Sequence, residues 1–422
     1  MYIAIIFLIA LCLFIQMLLF EDMKGEQMLV WTIVLFGLPL LGSVLYIMLG
    51  SSMTAKTLKS RRTIPPELKA TLGNDAALFC GWEESIPMMQ KDMDEAEKTI
   101  DLGFYGFSFD EQGQEWLNKL CDAASRGVKV RVLIDAFGSF GTRKRFFKPL
   151  LKLGGEVHKV RPWPTHFRYH RKLLVVDGQI AWSGSMNIGK KYIDKHPFKK
   201  PWYDIQVRVE GEAAAEAEKL FLYDWRCNVD SETKPYKTNA KPNGKGMEVS
   251  ILYCGVSANK YEIHDTWIDL INKAKETLVL QTPYLLPDEA VMAAIKSAIR
   301  RGVQVSIMLP QIPSGPQLEP VSNENAAELY CCGANIMLYP GYMHSKTLCK
   351  DSEVTCIGSV NLDTRSMMID DENCAMIRDA SFGFSFMDKF GSDEKMCKEF
   401  DPNLKIKRPV KTRILRFFYS FL

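Results

Sequence analysis

The chain has 422 residues, a length that suggests two or three domains. Its 53 basic residues nearly balance its 50 acidic residues, and the net charge of +3 argues against a protein that binds polyanions over its whole surface. Eleven cysteines occur without a Cys-x-x-Cys pair or a Cys/His ligand spacing, which argues against a zinc site and against a disulfide framework.

The N-terminus contains two long uncharged segments, residues 2–20 and 28–50. A helix over the second would be about 34 Å long, enough for a hydrocarbon core of about 30 Å. A cleaved signal peptide is the alternative, but no basic residue precedes the first segment and no small-x-small cleavage motif ends it. We therefore expect a transmembrane hairpin over residues 1–50, kinked at Pro39.

The charges that flank the hairpin predict its orientation. The short connection between the two segments is mostly acidic, whereas residues 51–74 form a basic linker. By the positive-inside rule, both ends of the hairpin lie in the cytoplasm and the connection lies outside. The prediction is a multi-pass protein of the inner membrane with the rest of the chain on the cytoplasmic side.

Beyond the linker the sequence is duplicated. An Arg-Gly-Val segment begins at residue 126 and again at residue 301, each followed by an alternating apolar strand pattern. The first copy predicts strand, helix and strand at 100–107, 114–125 and 128–134, and the second at 278–282, 289–300 and 303–309. This alternation predicts an α/β fold with sheets flanked by helices. We place the modules at 75–229 and 248–400, joined by a polar linker at 230–247.

One pattern of six residues occurs once in each module, with identical spacing. The first copy consists of His170, Lys172, Asp177, Gly184, Ser185 and Asn187. The second copy consists of His344, Lys346, Asp351, Gly358, Ser359 and Asn361. Either copy alone would be explained equally well by ordinary strand histidines and turn residues, but chance does not account for both.

These residue types suit displacement at phosphorus. A histidine can attack phosphorus or transfer a proton near neutral pH. Lysine and asparagine can hold phosphate oxygens, a serine hydroxyl adds a donor, and glycine lets the backbone approach closely. Residues 171–176 and 345–349 are predicted strands, on which the lysine and the histidine two residues before it share one face.

The pattern HxKxxxxDxxxxxxGSxN, present twice, resembles the phospholipase D superfamily. The segments at 201–204, 282–289 and 358–366 narrow this to a resemblance with bacterial cardiolipin synthases, which extends from about residue 75 to the C-terminus. The sequence departs from the usual pattern at Tyr169, where the family often has Asn, and at Gly103, where it often has Glu. It also departs around Ser314 and Gly315.

The resemblance implies two tandem phospholipase D-like modules, related by a pseudo-twofold axis, with both motifs at one pocket. It implies that Asp204 and Glu372 orient the histidines. The expected catalytic set is His170, Lys172, Asp177, His344, Lys346 and Asp351, in which the two aspartates have a structural role near strand ends. The expected substrate-binding residues are Ser185, Asn187, Ser359 and Asn361. No metal and no cofactor are expected.

The function implied is that of a membrane-bound cardiolipin synthase, acting on phosphatidylglycerol and other anionic phospholipids and not on nucleic acid. The phosphatidyl group would pass through a phosphatidyl-histidine, with His170 as nucleophile and His344 as acid and base. The near-equivalent motifs leave that assignment open, and the sequence does not give the oligomeric state. The alternatives are a hydrolase of the superfamily, either a phospholipase D or a nuclease, and a catalytically dead membrane scaffold.

Basic residues are concentrated in two further places. Those around the first motif, at 143–161 and 190–200, fit an anionic lipid, although a solvated surface explains most of them. Residues 401–422 form a basic tail interleaved with aromatic residues, which predicts an interfacial segment on the cytoplasmic leaflet; a buried terminal helix is the alternative. The four other histidines are His158, His166, His196 and His264. We interpret them as structural or surface residues, with His166 as a candidate to line the site.

Overall fold

The fold was analysed in a computed structural model of the full chain. The structure describes residues 2–21, 25–50, 65–160, 167–193, 202–229, 246–255, 261–313 and 318–402. Several predicted features therefore lie outside the described residues: most of both linkers, the tail from residue 403, His166, His196, Ser314 and Gly315.

The strands of the first half are β1 Thr71–Cys80, β2 Thr99–Phe104, β3 Lys129–Asp135, β4 Glu156–Val160, β5 Lys172–Val176, β6 Ile180–Gly184, β7 Trp202–Tyr203 and β8 Ile205–Glu210. Those of the second half are β9 Met247–Cys254, β10 Thr277–Gln281, β11 Gln304–Pro310, β12 Asn335–Tyr339, β13 Tyr342–Met343, β14 Thr347–Lys350, β15 Val354–Gly358, β16 Glu372–Arg378 and β17 Lys398–Glu399.

The helices of the N-terminus and first half are α1 Tyr2–Phe20, α2 Gly25–Gly37, α3 Pro39–Leu45, α4 Trp82–Asp94, α5 Glu111–Ser125, α6 Lys148–Lys152 and α7 Glu212–Asn228. Those of the second half are α8 Glu262–Lys273, α9 Glu289–Arg300, α10 Glu319–Cys332, α11 Thr364–Met368 and α12 Ala380–Glu394.

Within the described residues, fifteen strands form one sheet whose order is symmetric about its centre. The order is β17-β12-β11-β10-β14-β15-β16-β9-β1-β8-β6-β5-β2-β3-β4, so that seven strands of each module occur in the same relative order. The halves meet at β1 and β9, which pair antiparallel with a register shift between Thr71 and Asn74. The pseudo-twofold axis therefore lies between β1 and β9.

The outer strands of each half are parallel and require helical crossovers. Strands β2, β3 and β4 pair in parallel, as do β10, β11 and β12. Helix α5 buries one stripe of apolar residues that includes Trp116 and Leu120. It begins at Glu111, earlier than the predicted residue 114, because the Asp110 carboxylate accepts a hydrogen bond from the Gly113 N–H. Asp288 caps α9 in the same way.

Three apolar clusters hold the modules together. One lies in the first module, one in the second, and the third contains residues of both. In the shared cluster, Val207 and Ile377 of the sheet pack with Phe221 of α7 and Phe386 of α12, all buried. Burial of this kind stabilises by about 1.5–3 kcal/mol per large side chain. The predicted α/β fold with two tandem modules is confirmed.

The N-terminal hairpin is only partly as predicted. Among the described residues, α1 is the one helix long and apolar enough to cross a membrane. The second uncharged segment is divided at Leu38 into α2 and α3, because Pro39 has no N–H for the helical ladder. The two segments pack through Met17, Trp31 and Tyr46, and the Tyr46 hydroxyl donates to Gln16 Oε1 at 3.0 Å.

Candidate active site

Each motif histidine is held by the backbone of the other module. The His170 N–H donates to the Asp371 carbonyl at 2.9 Å, and the His344 N–H donates to the Tyr203 carbonyl at 2.7 Å. Strand β5 begins at Lys172 and β14 at Thr347, so the predicted strands at 171–176 and 345–349 start too early. The reason is that the chain leaves its own sheet at each histidine and pairs across the module interface.

The imidazoles are oriented by carboxylates of the opposite module. His170 Nδ1 lies 2.8 Å from Glu372 Oε1, and His344 Nδ1 lies 2.9 Å from Asp204 Oδ1. A carboxylate on Nδ1 fixes that nitrogen as the protonated one and leaves Nε2 for chemistry. The expected orienting residues thus contact the histidines crosswise.

The same short backbone pairing positions both the histidine and its carboxylate. Strand β13 pairs in parallel with β7, and Tyr169 forms the corresponding bridge with Asp371. On both sides, the residue that accepts the histidine N–H directly precedes the orienting acid. Separation of the modules would therefore disturb both the backbone position and the ring tautomer of each motif histidine.

Two buried lysines lie beside the histidines. Lys172 Nζ donates to the His170 carbonyl at 2.6 Å, and Lys346 Nζ donates to the His344 carbonyl. Both residues are 1% exposed. Burial lowers the pKa of Lys172 to about 8, although Glu372 and Asp204 oppose the shift. Burial, with Lys172 nearby, also lowers the pKa of Lys346 well below its ordinary value.

The lysines in turn act on the imidazoles. Burial is the main cause that lowers the pKa of His344 to about 3, and the Lys346 ammonium adds to it. The pKa of His170 lies well below its ordinary value, because of burial and then the charges of both lysines. Both imidazoles are therefore neutral near pH 7, which leaves an Nε2 lone pair available.

The two orienting carboxylates differ electrostatically. Burial raises the pKa of Glu372 to about 8, although the nearby Lys172 ammonium lowers it in part. Burial acts on Asp204 as well, but the electrostatic contact and hydrogen bond with His344, and then the Lys346 ammonium, outweigh it, so that the pKa of Asp204 falls below its ordinary value. The two sides of the site match in geometry and differ in charge.

The motif serines support the orienting segments. Ser359 Oγ donates to the Glu372 carboxylate and accepts from the Asn373 N–H at 3.0 Å. Ser185 Oγ accepts from the Ile205 N–H at 3.0 Å. Each hydroxyl thus contacts the strand that follows or includes the orienting acid of its own module.

The motif asparagines are buried and held by loops that follow β2 and β10. The Gly106 N–H donates to Asn187 Oδ1 at 3.0 Å. Asn361 Nδ2 donates to the Tyr284 hydroxyl and to Ser366 Oγ, both at 2.9 Å. Each amide is thus fixed in orientation by its neighbours.

The motif aspartates hold turns. Asp177 and Asp351 have left-handed backbones, with φ of 53° and 51°. The Asp177 carboxylate accepts from the backbone N–H groups of residues 97–99 at 2.7–2.9 Å. Asp351 accepts from those of residues 275–277 at 2.8–3.2 Å. Each aspartate thus fastens the turn after its motif strand to the start of β2 or β10.

Two aromatic residues at the site had no role in the sequence analysis. The Tyr105 ring lies 4.7 Å from the His170 ring, and the Trp202 ring lies 4.9 Å from that of His344. Lys172 Nζ also lies 5.2 Å from the Tyr105 ring centre. Trp202 belongs to a segment that carried the family resemblance. Its position two residues before Asp204 was the feature of the sequence that could have placed it at the site.

Arg171 was also missed. This residue between His170 and Lys172 is fully buried, donates to Asp224 Oδ2 at 2.7 Å and donates to the Glu372 carbonyl. It therefore ties the orienting residue to helix α7. A charged residue inside an apolar strand was the signal in the sequence, because a buried guanidinium requires a partner.

The two departures from the family pattern occupy the same space. A side chain on Gly103 would collide with the Tyr169 hydroxyl, which is fully buried beside it. Glycine at 103 and tyrosine at 169 thus compensate for each other. Glycine at 103, where the resemblance leads one to expect Glu, leaves room for the Tyr169 ring.

The remaining described histidines have structural contacts. His264 bonds to Asp265 and Asp288, and the His158 ring packs on Trp225 at 5.1 Å. Within the described ranges, no group of three or more His, Cys, Asp or Glu side chains is arranged to hold a metal ion.

The site can be compared with known proteins. The family described as "Cardiolipin synthase, PLD-like domain" matches residues 89–225 and 267–393, more than half of the chain. The cardiolipin synthase of Listeria innocua is 32% identical over 80% of this chain and 72% of its own length. The major cardiolipin synthase ClsA of Bacillus subtilis is 27% identical over 97% and 96%.

A solved structure shows the same fold. Phosphatidylserine synthase of Haemophilus influenzae superposes with a TM-score of 0.64 at 16% identity, over 87% of this chain and 97% of that one. The two motifs related by the pseudo-twofold axis, the carboxylates that contact the histidines of the opposite module and the sequence matches all indicate the same family. The chain belongs to the cardiolipin synthase family of phospholipase D-like proteins.

Proposed function

We propose that this protein is a membrane-bound cardiolipin synthase that transfers a phosphatidyl group from one phosphatidylglycerol to another. The observation that carries the proposal is the pair of motif histidines, each oriented by a carboxylate of the other module. One histidine alone could bind a phosphate, but a double displacement needs a nucleophile and a proton carrier together. The names and coverage of the relatives support the transferase reaction.

In the first step, His170 Nε2 attacks the phosphorus of the donor lipid. A P–N bond forms, the P–O bond to the headgroup glycerol breaks, and His344 gives a proton to the departing oxygen. The negative charge of the bound phosphate opposes the lysines and raises the pKa of the imidazoles, so that His344 can carry this proton. Lys172, Lys346 and the Nδ2 donors of Asn187 stabilise the phosphoryl oxygens, whereas Asn361 uses its Nδ2 hydrogens on Tyr284 and Ser366.

In the second step, a headgroup hydroxyl of another phosphatidylglycerol loses its proton to His344 and attacks the phosphatidyl-histidine. The P–N bond breaks, cardiolipin forms and His170 is regenerated. With water as the acceptor, the same site would be a phospholipase D. Shielding from water favours transfer, and the imidazoles are only 12% and 13% exposed beside Tyr105 and Trp202.

The membrane arrangement forms part of the proposal. Helix α1 supports an anchor, and the short apolar helix that follows supports a return pass. The charges at either end support catalytic modules on the cytoplasmic side. In this arrangement the donor and acceptor lipids reach the site from the leaflet to which the modules are tethered.

The test is to reconstitute the full chain in vesicles with labelled phosphatidylglycerol and to separate the products by thin-layer chromatography. We expect mainly cardiolipin and glycerol, with phosphatidic acid as a minor product. His170→Ala and His344→Ala should each abolish turnover, since the two act as one unit. Phosphatidic acid as the main product would replace the synthase by the phospholipase alternative.

The same variants assign the roles. A labelled lipid–protein adduct should accumulate in only one of them, because the nucleophile must be present for the P–N bond to form. We expect the adduct in His344→Ala, which retains His170. An adduct only in His170→Ala would exchange the two roles and leave the rest of the mechanism in place.

A further inference from the structure

The most exposed phenylalanine among the described residues lies in a loop beside the active site. Residues 136–147, here called the Phe loop, connect β3 to α6. Within it, Phe140 is 86% exposed and Phe137 is 59% exposed. Phe109, 67% exposed, lies beside the loop, because its ring rests 5.1 Å from that of Phe146. Clustered aromatic rings on a surface indicate an interaction site.

The backbone of the Phe loop is fixed by hydrogen bonds. The Asp135 carboxylate accepts from the N–H groups of Phe137 and Gly138 at 2.8 Å. Ser139 Oγ donates to the Tyr105 carbonyl and accepts from the Phe107 N–H, both at 3.0 Å. The backbone that presents the rings is therefore held in place, so their exposure is a property of the fold.

The loop is connected directly to the catalytic centre. A side chain on Gly138 would collide with Tyr105, whose ring packs on His170. The other Asp135 oxygen accepts from the Tyr169 N–H at 2.9 Å, one residue before the nucleophile. The Arg168 guanidinium lies 4.1 Å from the Phe137 ring centre. The loop that carries the exposed rings is therefore packed directly against the residues around His170.

The charge of the loop identifies its partner. Arg143, Lys144, Arg145 and Lys148 are exposed and follow the phenylalanines directly. Within the described part of the chain, no carboxylate forms an ion pair with any of the four. Exposed aromatic rings next to basic side chains match a bilayer interface that carries anionic headgroups, where rings enter the acyl boundary and cations bind phosphates.

We propose that the Phe loop inserts into the anionic leaflet and seats the mouth of the active site on the membrane. The occupant of this surface is the lipid interface, and Phe140 enters it most deeply. The inference rests on the proposed function in that it requires a lipid substrate. It adds a docking element separate from the N-terminal helices and from the basic tail.

The direct test is photocrosslinking of the full chain in nanodiscs that contain labelled phosphatidylglycerol. Phe140→p-benzoylphenylalanine is compared with the same replacement at Phe384, which is 62% exposed on α12. Both are made in a His170→Ala, His344→Ala background, so that no label enters through catalysis. We expect lipid adducts at position 140 at least about tenfold above those at position 384.

Two results would overturn the proposal. One is an equal lipid yield at the two positions, and the other is a crosslink from position 140 to a second protein chain in place of lipid. Because neither variant catalyses the reaction, this outcome is independent of the product assay. The proposed function can thus fail while the docking result stands, and the reverse is also possible.

A kinetic test uses the active enzyme. Phe140→Ser removes an exposed ring, and Phe384→Ser is the matched control. We expect the ratio of activity on phosphatidylglycerol vesicles to activity on a dissolved short-chain phosphatidylglycerol to fall about tenfold in Phe140→Ser only. An unchanged ratio, or an equal fall in both variants, would contradict membrane docking by this loop.

Discussion

Asp204 of the first module orients His344 of the second, with its Oδ1 2.9 Å from the imidazole Nδ1. Glu372 does the same for His170 in the reverse direction, at 2.8 Å. Neither module therefore contains a complete histidine–carboxylate pair by itself. Catalysis depends on the interface between the modules as directly as on the motifs.

Removal of the orienting charge should impair catalysis from the opposite module. We expect Asp204→Asn to lower kcat by about 10²–10⁴-fold, because an amide cannot support a positively charged His344 or fix its tautomer. Thermal unfolding should change little, since the shape is kept. Glu372→Gln is the matched variant for His170. Activity near that of the wild type in Asp204→Asn would show that the crosswise contact is not used.

The pH profile should have an alkaline limb. The pKa of Lys172 is lowered to about 8, so its positive charge is lost as the pH rises through that value. The pKa of Glu372 is raised to about 8, so a negative charge appears over the same range. Both changes weaken the binding of a phosphate.

We therefore expect kcat/KM to fall above about pH 8, where the coupled groups titrate together. Bound phosphate should keep the lysine protonated and move the limb of kcat to higher pH. The measurement is the initial rate in vesicles between pH 6 and 10. A flat kcat/KM profile across this range would contradict the assignment.

The space shared by Gly103 and Tyr169 can be tested by a double-mutant cycle. Gly103→Glu alone should destabilise the protein by several kcal/mol, because its side chain collides with the buried Tyr169 hydroxyl. Tyr169→Asn alone should leave a cavity and cost about 3 kcal/mol. The double variant carries the pair that the family resemblance leads us to expect, and it should recover stability and activity. Additive losses, measured by chemical unfolding and turnover, would show that the two sites are independent.

Substitution of the motif aspartates should lower the stability of the fold more than it lowers kcat. Asp177→Ala removes the acceptor of three N–H groups and leaves a left-handed alanine, which should cost about 2–4 kcal/mol. Asp177→Asn keeps one oxygen and tolerates this backbone, so we expect a loss of about 1 kcal/mol. Unfolding in urea measures both. A collapse of kcat without any shift of the unfolding midpoint would assign Asp177 to the reaction itself.

The orientation in the membrane can be tested with thiols. Gly25→Cys places a thiol between the apolar segments, in open space. It should react with an impermeant maleimide in intact cells, whereas the native exposed Cys331 and Cys332 of the second module should react only after permeabilisation. The reverse pattern would place the catalytic modules outside.

The sequence by itself determined the features that depend on local pattern. Apolar periodicity predicted β3, α9 and β11 to within one residue at either end, because the apolar residues that define each pattern are buried against neighbouring elements. The repeated spacing located both copies of the motif, since the residues that follow each histidine lie on one hairpin of neighbouring strands.

Only the tertiary structure decided which side chains meet. His170 and Glu372 are 202 residues apart in the chain, and His344 and Asp204 are 140 apart. Local periodicity carries no information on such pairs, because they form only when two folded modules pack about the axis between β1 and β9. Gly103 and Tyr169 belong to one module, but they too meet only in the folded chain, where β2 pairs with β5. The Tyr169 hydroxyl fills space that a side chain at position 103 would need, and neither residue shows this by itself.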